Sequence, residues 1–112
     1  MDQYADLQSR VTLLEYHQRL LLKLLAAPNL EFYRLVIENG LSEQEVQAFY
    51  QLCENLNIKM EEQKAEGFIH FHPLFNEFLN LLPKKLDVKK VIQSCLNQHL
   101  YEPLFKELNK CL

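Results

Sequence analysis

The first 26 residues carry the most regular hydrophobic pattern of the chain. Apolar residues recur there at alternating spacings of three and four, which is typical of an α-helix with one apolar face. The positions are Tyr4, Leu7, Val11, Leu14, Gln18, Leu21 and Leu25, and all but Gln18 are apolar. The pattern predicts a first helix over about residues 2–26.

The apolar surface of this helix widens in its second half. Four further leucines make the surface there nearly continuous around the helix: Leu13, Leu20, Leu22 and Leu24. We therefore expect the second half to be buried on more than one side. The first half has only a narrow stripe, as in a helix that pairs with one partner.

Glycine and proline divide the rest of the chain. They occur at only six positions: Pro28, Gly40, Gly67, Pro73, Pro83 and Pro103. Each lies where an apolar pattern ends or restarts, so each indicates a helix boundary. Residues 68–72 alternate between apolar and polar but are too few to build a sheet. The pattern predicts one all-α domain over residues 1–112, a bundle of about six helices.

Several helix ends have recognisable caps. Asn29 is predicted to cap a second helix that ends near Gly40, and Asp87 to cap the fifth. Ser42 and Glu45 have the spacing of a capping box at the start of the third helix. The end of that helix, residues 59–66, is highly charged and is predicted to project into solvent.

Composition narrows the class of protein. Hydrophobic residues make up 48% of the chain, charged residues 24%, and the net charge is −3, so the whole molecule does not attract nucleic acid or anionic lipid. The three cysteines are odd in number and widely spaced, which favours a reducing compartment. The first residues do not resemble a secretory signal, and no apolar run is long enough for a membrane span. We expect a cytoplasmic protein that does not contact membranes.

Several segments together resemble the YhaI-like family of small bacillus proteins. They are Leu41-Ser42-Glu43-Gln44-Glu45-Val46, Phe49-Tyr50, His72-Pro73-Leu74-Phe75 and Leu81-Leu82-Pro83-Lys84-Lys85-Leu86-Asp87. The likeness extends over essentially the whole chain. It implies a multihelical fold that associates through its helices, and it implies no function and no site residues.

Histidine and cysteine are the residues to consider first for chemistry. His70 and His72, two apart, would place both rings on one side of an extended segment, as in some metal sites. The alternative is that His72 helps to cap the fourth helix while His70 packs at a rim. Cys95 and His99 would share a helix face, but no third group that could orient them is visible. We predict no enzymatic activity, no catalytic residues and no cofactor. A metal or small-ligand sensor that uses His70 and His72 is the least favoured of the alternative functions, and both histidines are weak metal candidates.

A basic cluster surrounds the turn between the fourth and fifth helices. It consists of Lys84, Lys85, Lys89 and Lys90. Two short helices joined by a basic turn suggest a nucleic-acid-associated regulator. The fifth helix has no arginine, however, and a basic patch at a helix start is usually a solvated surface. Nucleic acid is therefore the weaker alternative.

The stripe of the first helix gives the strongest functional indication. In a parallel pair of such helices, Arg10 and Glu15 would make charged contacts across the seam, and Gln18 would be a polar residue in it. The alternative is that the stripe faces the other five helices of the same chain. We favour a homodimer in which Tyr4, Leu7, Val11, Leu14, Gln18 and Leu21 form the interface. The leading hypothesis is a non-enzymatic interaction module, a regulatory adaptor that presents a helical surface to another protein.

Overall fold

A computed structural model describes residues 2–112, and these residues form six helices and no strand. The helices are α1 (Gln3–Ala26), α2 (Glu31–Glu38), α3 (Glu43–Ala65), α4 (His72–Leu81), α5 (Val88–Asn97) and α6 (Glu102–Asn109). The predicted all-α fold with about six helices is confirmed for this part of the chain.

The start of α3 has the predicted capping box. The backbone N–H of Glu45 donates to Ser42 Oγ at 3.2 Å, and the Ser42 N–H donates to Glu45 Oε1 at 3.1 Å. Leu41 and Val46, on either side of this box, are both buried. Local polar bonds, with a buried apolar residue on either side of them, thus fix the direction in which α3 leaves the preceding turn.

Three helices end in the same way, with a residue in the left-handed conformation. Gly40 follows α2 (φ 65°), Gly67 follows α3 (φ 94°) and His99 follows α5 (φ 60°). The amide after each of them donates to the carbonyl five residues earlier, at 3.0, 2.9 and 2.9 Å. This is the Schellman motif, in which glycine is the usual residue. Histidine in the third copy carries a steric strain that glycine would avoid.

The start of α2 differs from the prediction. Its cap residue is Leu30 rather than Asn29, and no local side chain caps it. Instead Oε1 of Gln98, buried just after α5, accepts the backbone N–H of Phe32 at 2.8 Å and that of Tyr33 at 3.3 Å. The acceptor for the first turn of α2 therefore comes from the opposite end of the chain.

The core is built around α3. One side of this helix is buried along Val46, Phe49, Cys53, Leu56 and Met60. The ring of Phe49 stacks on Phe32 with 5.0 Å between centroids and also contacts Phe78 of α4 and Phe105 of α6. Helix α3 packs on α4 and α6, while α2 packs on α5 and α5 on α6. These five helices and the turns between them form the body of the molecule and supply all of its buried apolar core except Tyr16 and Leu20 of α1.

Helix α1 is attached at the edge of this body. It packs on α2, and its buried residues, Tyr16, His17 and Leu20, all lie in its second half. The molecule measures 53 × 35 × 20 Å, and its radius of gyration of 15.9 Å exceeds the roughly 13 Å of a compact chain of this length. The elongation fits a first half of α1 that stands away from the body.

The charged end of α3 lies against the body on one side. Met60 is buried, Lys59 Nζ lies 2.7 Å from Glu77 Oε1 of α4, and Lys64 Nζ lies 3.9 Å from Glu107 Oε1 of α6. The predicted projection of residues 59–66 into solvent is therefore wrong, because this segment lies along the body, although most of its side chains are exposed.

Candidate interaction surface

One face of α1 is apolar and uncovered in the single chain. We call it the outer face, and it comprises Tyr4, Leu7, Val11, Leu14, Gln18, Leu21 and Leu25. The exposed fraction of its apolar residues runs from 45% at Leu21 to 85% at Tyr4, with Leu14 at 66%. All six residues predicted as an oligomer interface thus lie together on an exposed face, which does not pack against the other helices of its own chain.

The other side of α1, the inner face, attaches the helix to the body. Tyr16, His17 and Leu20 are buried there, and a ring N–H of His17 donates to the carbonyl of Leu41 at 2.8 Å. At 100° per residue, the centres of the inner and outer faces are about 130° apart. Because of this angle, α1 cannot cover its outer face by rolling onto the body without losing its present contacts.

The first half of α1 borders an open cleft. This cleft of about 450 Å³ separates the helix from the start of α3 and is lined on the α1 side mainly by small and polar side chains such as Ala5, Ser9 and Thr12. At its inner end Arg19 bridges to Glu43 at 3.2 Å, with both side chains more than half exposed. The first half of α1 is therefore held mainly by the continuity of the helix.

Charged residues of opposite sign border the outer face. Arg10 lies along one edge and Glu15 along the other, and both are exposed. Among residues 2–112 neither forms an ion pair. The outer face therefore combines an apolar centre with unpaired charges on its two edges.

The basic cluster is divided between the turn before α5 and the first turn of α5. Lys85 is paired with Glu45 at 3.0 Å, whereas Lys84, Lys89 and Lys90 are exposed without an ion pair among the described residues. Lys90 lines a cleft together with the acidic residues Glu31 and Glu38. Neighbouring carboxylates thus interrupt the positive patch.

The two histidine candidates lie at the start of α4. His72 is the first residue of that helix, His70 precedes it, and both are exposed. Phe71 between them has φ −127° and ψ 30°, so the extended geometry that would align the rings is broken. The alternative role also differs from the structure, because no side-chain cap bond is present at α4. Within residues 2–112, no three His, Cys, Asp or Glu side chains are grouped to hold a metal.

The cysteines are placed for packing. Cys53 and Cys95 are fully buried, and burial raises the pKa of both thiols well above the usual value. His99 lies beyond the end of α5, exposed, with Nδ1 3.3 Å from Glu102 Oε2. Cys95 is therefore a protonated core side chain, and the structure gives it no base at His99.

The chain matches a family model described as "Protein of unknown function (DUF1878)" over residues 5–112. It belongs to this family. The match supports the resemblance of the sequence to an uncharacterised family, while the narrower YhaI-like assignment stays a prediction. The match includes α1 from residue 5 onward, so all of the outer face except Tyr4 lies within the matched region. None of the helices formed by residues 2–112 has the length and apolarity that a membrane crossing requires.

Sequence reasoning missed the inner face of α1. Tyr16 and His17 do not belong to the heptad stripe, so the spacing of apolar residues did not identify them. The only indication of an inner face was that nearby leucines broaden the apolar surface of the helix. Two cations also cover aromatic rings here: Arg19 lies 5.7 Å from the Tyr16 centroid and Lys23 lies 5.7 Å from that of Tyr33. The Arg19 contact lies within α1, whereas the Lys23 contact joins α1 to Tyr33 of α2 and strengthens the attachment between these helices.

Proposed function

We propose that this protein is a non-enzymatic interaction module that forms a homodimer through the outer face of α1. As a dimer it would act as a regulatory adaptor, presenting helical surfaces of its body to another protein. We place it in the cytoplasm, in keeping with its three unpaired cysteines.

The observation that carries the proposal is the exposure of the outer face. Seven of the exposed large apolar side chains belong to α1: Tyr4, Leu7, Val11, Leu14, Leu21, Leu22 and Leu25. A contiguous apolar strip of this kind on a soluble surface marks an interaction site rather than a random distribution of apolar residues. Covering one such leucine contributes about 1.5–3 kcal/mol when burial is complete. The body does not supply that cover, because these side chains are exposed in the single chain.

A charge placed at the centre of the outer face tests the proposal. Leu14→Glu should dissociate the dimer, because a carboxylate would have to be buried next to the same group of the second copy. Leu81→Glu on α4 is the matched control, since Leu81 is 59% exposed and Leu14 is 66% exposed. Sedimentation equilibrium of the three proteins should give twice the 13.3 kDa chain mass for wild type and the control, and one chain mass for Leu14→Glu.

A wild type that sediments as a monomer at tens of micromolar would contradict self-association, and a Leu14→Glu variant that remains dimeric would contradict a dimer formed through the outer face. The adaptor role has a separate test. It is a pull-down from native cells, in the presence of nuclease, with tagged wild type and with a tagged variant whose body surface is altered. We expect the two baits to retain different partner proteins. A bait that returns only itself would remove the adaptor role.

The lysine cluster supports a second candidate, a nucleic-acid-associated regulator. The supporting observation is that Lys84, Lys89 and Lys90 remain exposed and unpaired in the described part of the chain. Duplex DNA should then bind with an affinity that falls steeply with salt. Lack of binding at low salt, or unchanged binding after replacement of the three lysines by glutamine, would remove this candidate.

A further inference from the structure

We infer that the two α1 helices of the dimer lie parallel and in register, with Gln18 of one copy beside Gln18 of the other. The inference rests on the proposed self-association and specifies its geometry. It follows from three features of the outer face: the residues at its centre, the charges on its edges, and the direction in which the body leaves it.

The centre of the outer face has the sequence of a two-stranded coiled coil. In heptad notation the d positions are Leu7, Leu14 and Leu21, and the a positions are Tyr4, Val11, Gln18 and Leu25. Leucine at every d position, with a β-branched and a polar residue among the a positions, favours parallel dimers. All of these side chains are exposed and directed away from the body in the single chain.

The edge charges distinguish parallel from antiparallel pairing. Arg10 is at a g position and Glu15 at the following e position, so each Arg10 of a parallel pair faces Glu15 of the second copy. Antiparallel helices bring g to g and e to e, which would place Arg10 near His17 or another Arg10. Parallel pairing therefore joins two pairs of charges that have no ion-pair partner among residues 2–112 of the single chain.

Gln18 fixes the register. In the parallel, in-register pair the two Gln18 amides face each other, and each can donate to and accept from the other. A shift by one heptad would place Gln18 against Val11 or Leu25, and an antiparallel arrangement would place it against leucine. Both leave a buried amide without a partner, which is unfavourable.

The body leaves room for this arrangement. Because the inner face is about 130° from the outer face, the bodies of two parallel copies lie on opposite sides of the seam. A helix of 24 residues is about 36 Å long, and covering a third of its circumference buries about 500 Å² per copy. The total of about 1,000 Å² is at the lower end for a specific interface, so we expect a reversible dimer.

Single cysteines on the outer face test the orientation. Leu7→Cys and Leu21→Cys are each made in a Cys111→Ser background, because Cys53 and Cys95 are buried. In a parallel, in-register pair each new thiol meets its own copy within disulfide range. In an antiparallel pair that aligns the full helices, the same thiols are separated by 14 residues, or about 21 Å.

We expect each variant alone to form an interchain disulfide under mild oxidation. In an equimolar mixture of the two variants, with a tag on one of them, we expect no disulfide that joins position 7 of one chain to position 21 of the other. A mixture that yields chiefly the Leu7–Leu21 product would overturn the parallel arrangement and leave self-association intact. A wild type that sediments as a monomer would overturn both, so the two failures are distinguishable.

A charge exchange gives an independent readout. Arg10→Glu should weaken the dimer by about tenfold, because two ion pairs become two repulsions across an exposed seam. The double variant Arg10→Glu/Glu15→Arg should recover most of the affinity, and Arg34→Glu on α2 is the control. Failure of the double variant to recover would contradict the parallel pairing, because only in that orientation do residues 10 and 15 meet.

Discussion

Replacement of Gln98 by alanine removes the acceptor at the start of α2. In the wild type, Oε1 of Gln98 accepts the N–H groups of Phe32 and Tyr33, which are the second and third residues of that helix. Gln98 is 8% exposed and Phe32 is completely buried, so water cannot readily replace the lost acceptor at Phe32. The Tyr33 N–H retains a second bond, to the carbonyl of Leu30 at 3.2 Å.

The expected loss can be built from these contacts. Removal of a good helix cap lowers the free energy of unfolding by about 0.5–2 kcal/mol, and a buried donor left without a partner costs about 1–3 kcal/mol. The two values are alternative estimates for the loss of the same acceptor and are not added together. We therefore expect the free energy of unfolding to decrease by about 2 kcal/mol. For a chain of this length, that corresponds to a decrease in melting temperature of about 8 °C.

Urea unfolding followed by circular dichroism measures this difference. Gln93→Ala is the matched control, because Gln93 is an exposed glutamine of α5 and its replacement tests only helix propensity. We expect the midpoint of Gln98→Ala to decrease with an unchanged slope, while Gln93→Ala remains within about 0.5 kcal/mol of wild type. A Gln98→Ala variant as stable as the control would show that α2 does not depend on this cap.

Three further predictions follow from individual residues. His99→Gly should raise the free energy of unfolding by about 1 kcal/mol in urea, because glycine relieves the left-handed strain; a decrease would show that the contact with Glu102 outweighs it. Bonds from the Ser42 amide and from Lys85 hold the pKa of Glu45 below its usual value, so its contribution is present at neutral pH and is lost as pH falls through the folded-state pKa. The stability difference between wild type and Glu45→Gln should therefore shrink on acidification, and a constant difference would contradict this. A thiol reagent at mildly alkaline pH should label Cys111 first and should reach Cys53 and Cys95 only on unfolding, because burial shields both and raises their pKa; three equally fast thiols would refute that placement.

The helices could be predicted because their boundaries are local. Gly40 and Gly67 end helices through a backbone conformation that glycine favours, and Ser42 with Glu45 starts one through bonds three residues apart. Such features are visible in a few consecutive residues. The left-handed turn at His99 was not predictable in this way, because histidine is an uncommon residue there and the sequence offered no glycine.

Contacts between distant segments could not be predicted. Gln98 and Phe32 are 66 residues apart, and no local pattern relates them. The same holds for the ring of His17 and the carbonyl of Leu41. The residues of the outer face were predicted from heptad spacing. That they are uncovered in the single chain follows only from the position of the inner face, which turns α1 so that its heptad stripe points outward.

The link between Gln98 and α2 also has a consequence for synthesis of the chain. Helices α1 and α2 leave the ribosome early, but the acceptor for α2 lies 66 residues further along, close to the C-terminus. Loop closure over that distance must come before the bond from Gln98 can stabilise α2, so we expect the docking of α1 and α2 onto the body to be a late step in folding. The outer face of α1 is complete before that step, so nascent chains on neighbouring ribosomes can meet through it before either body is complete.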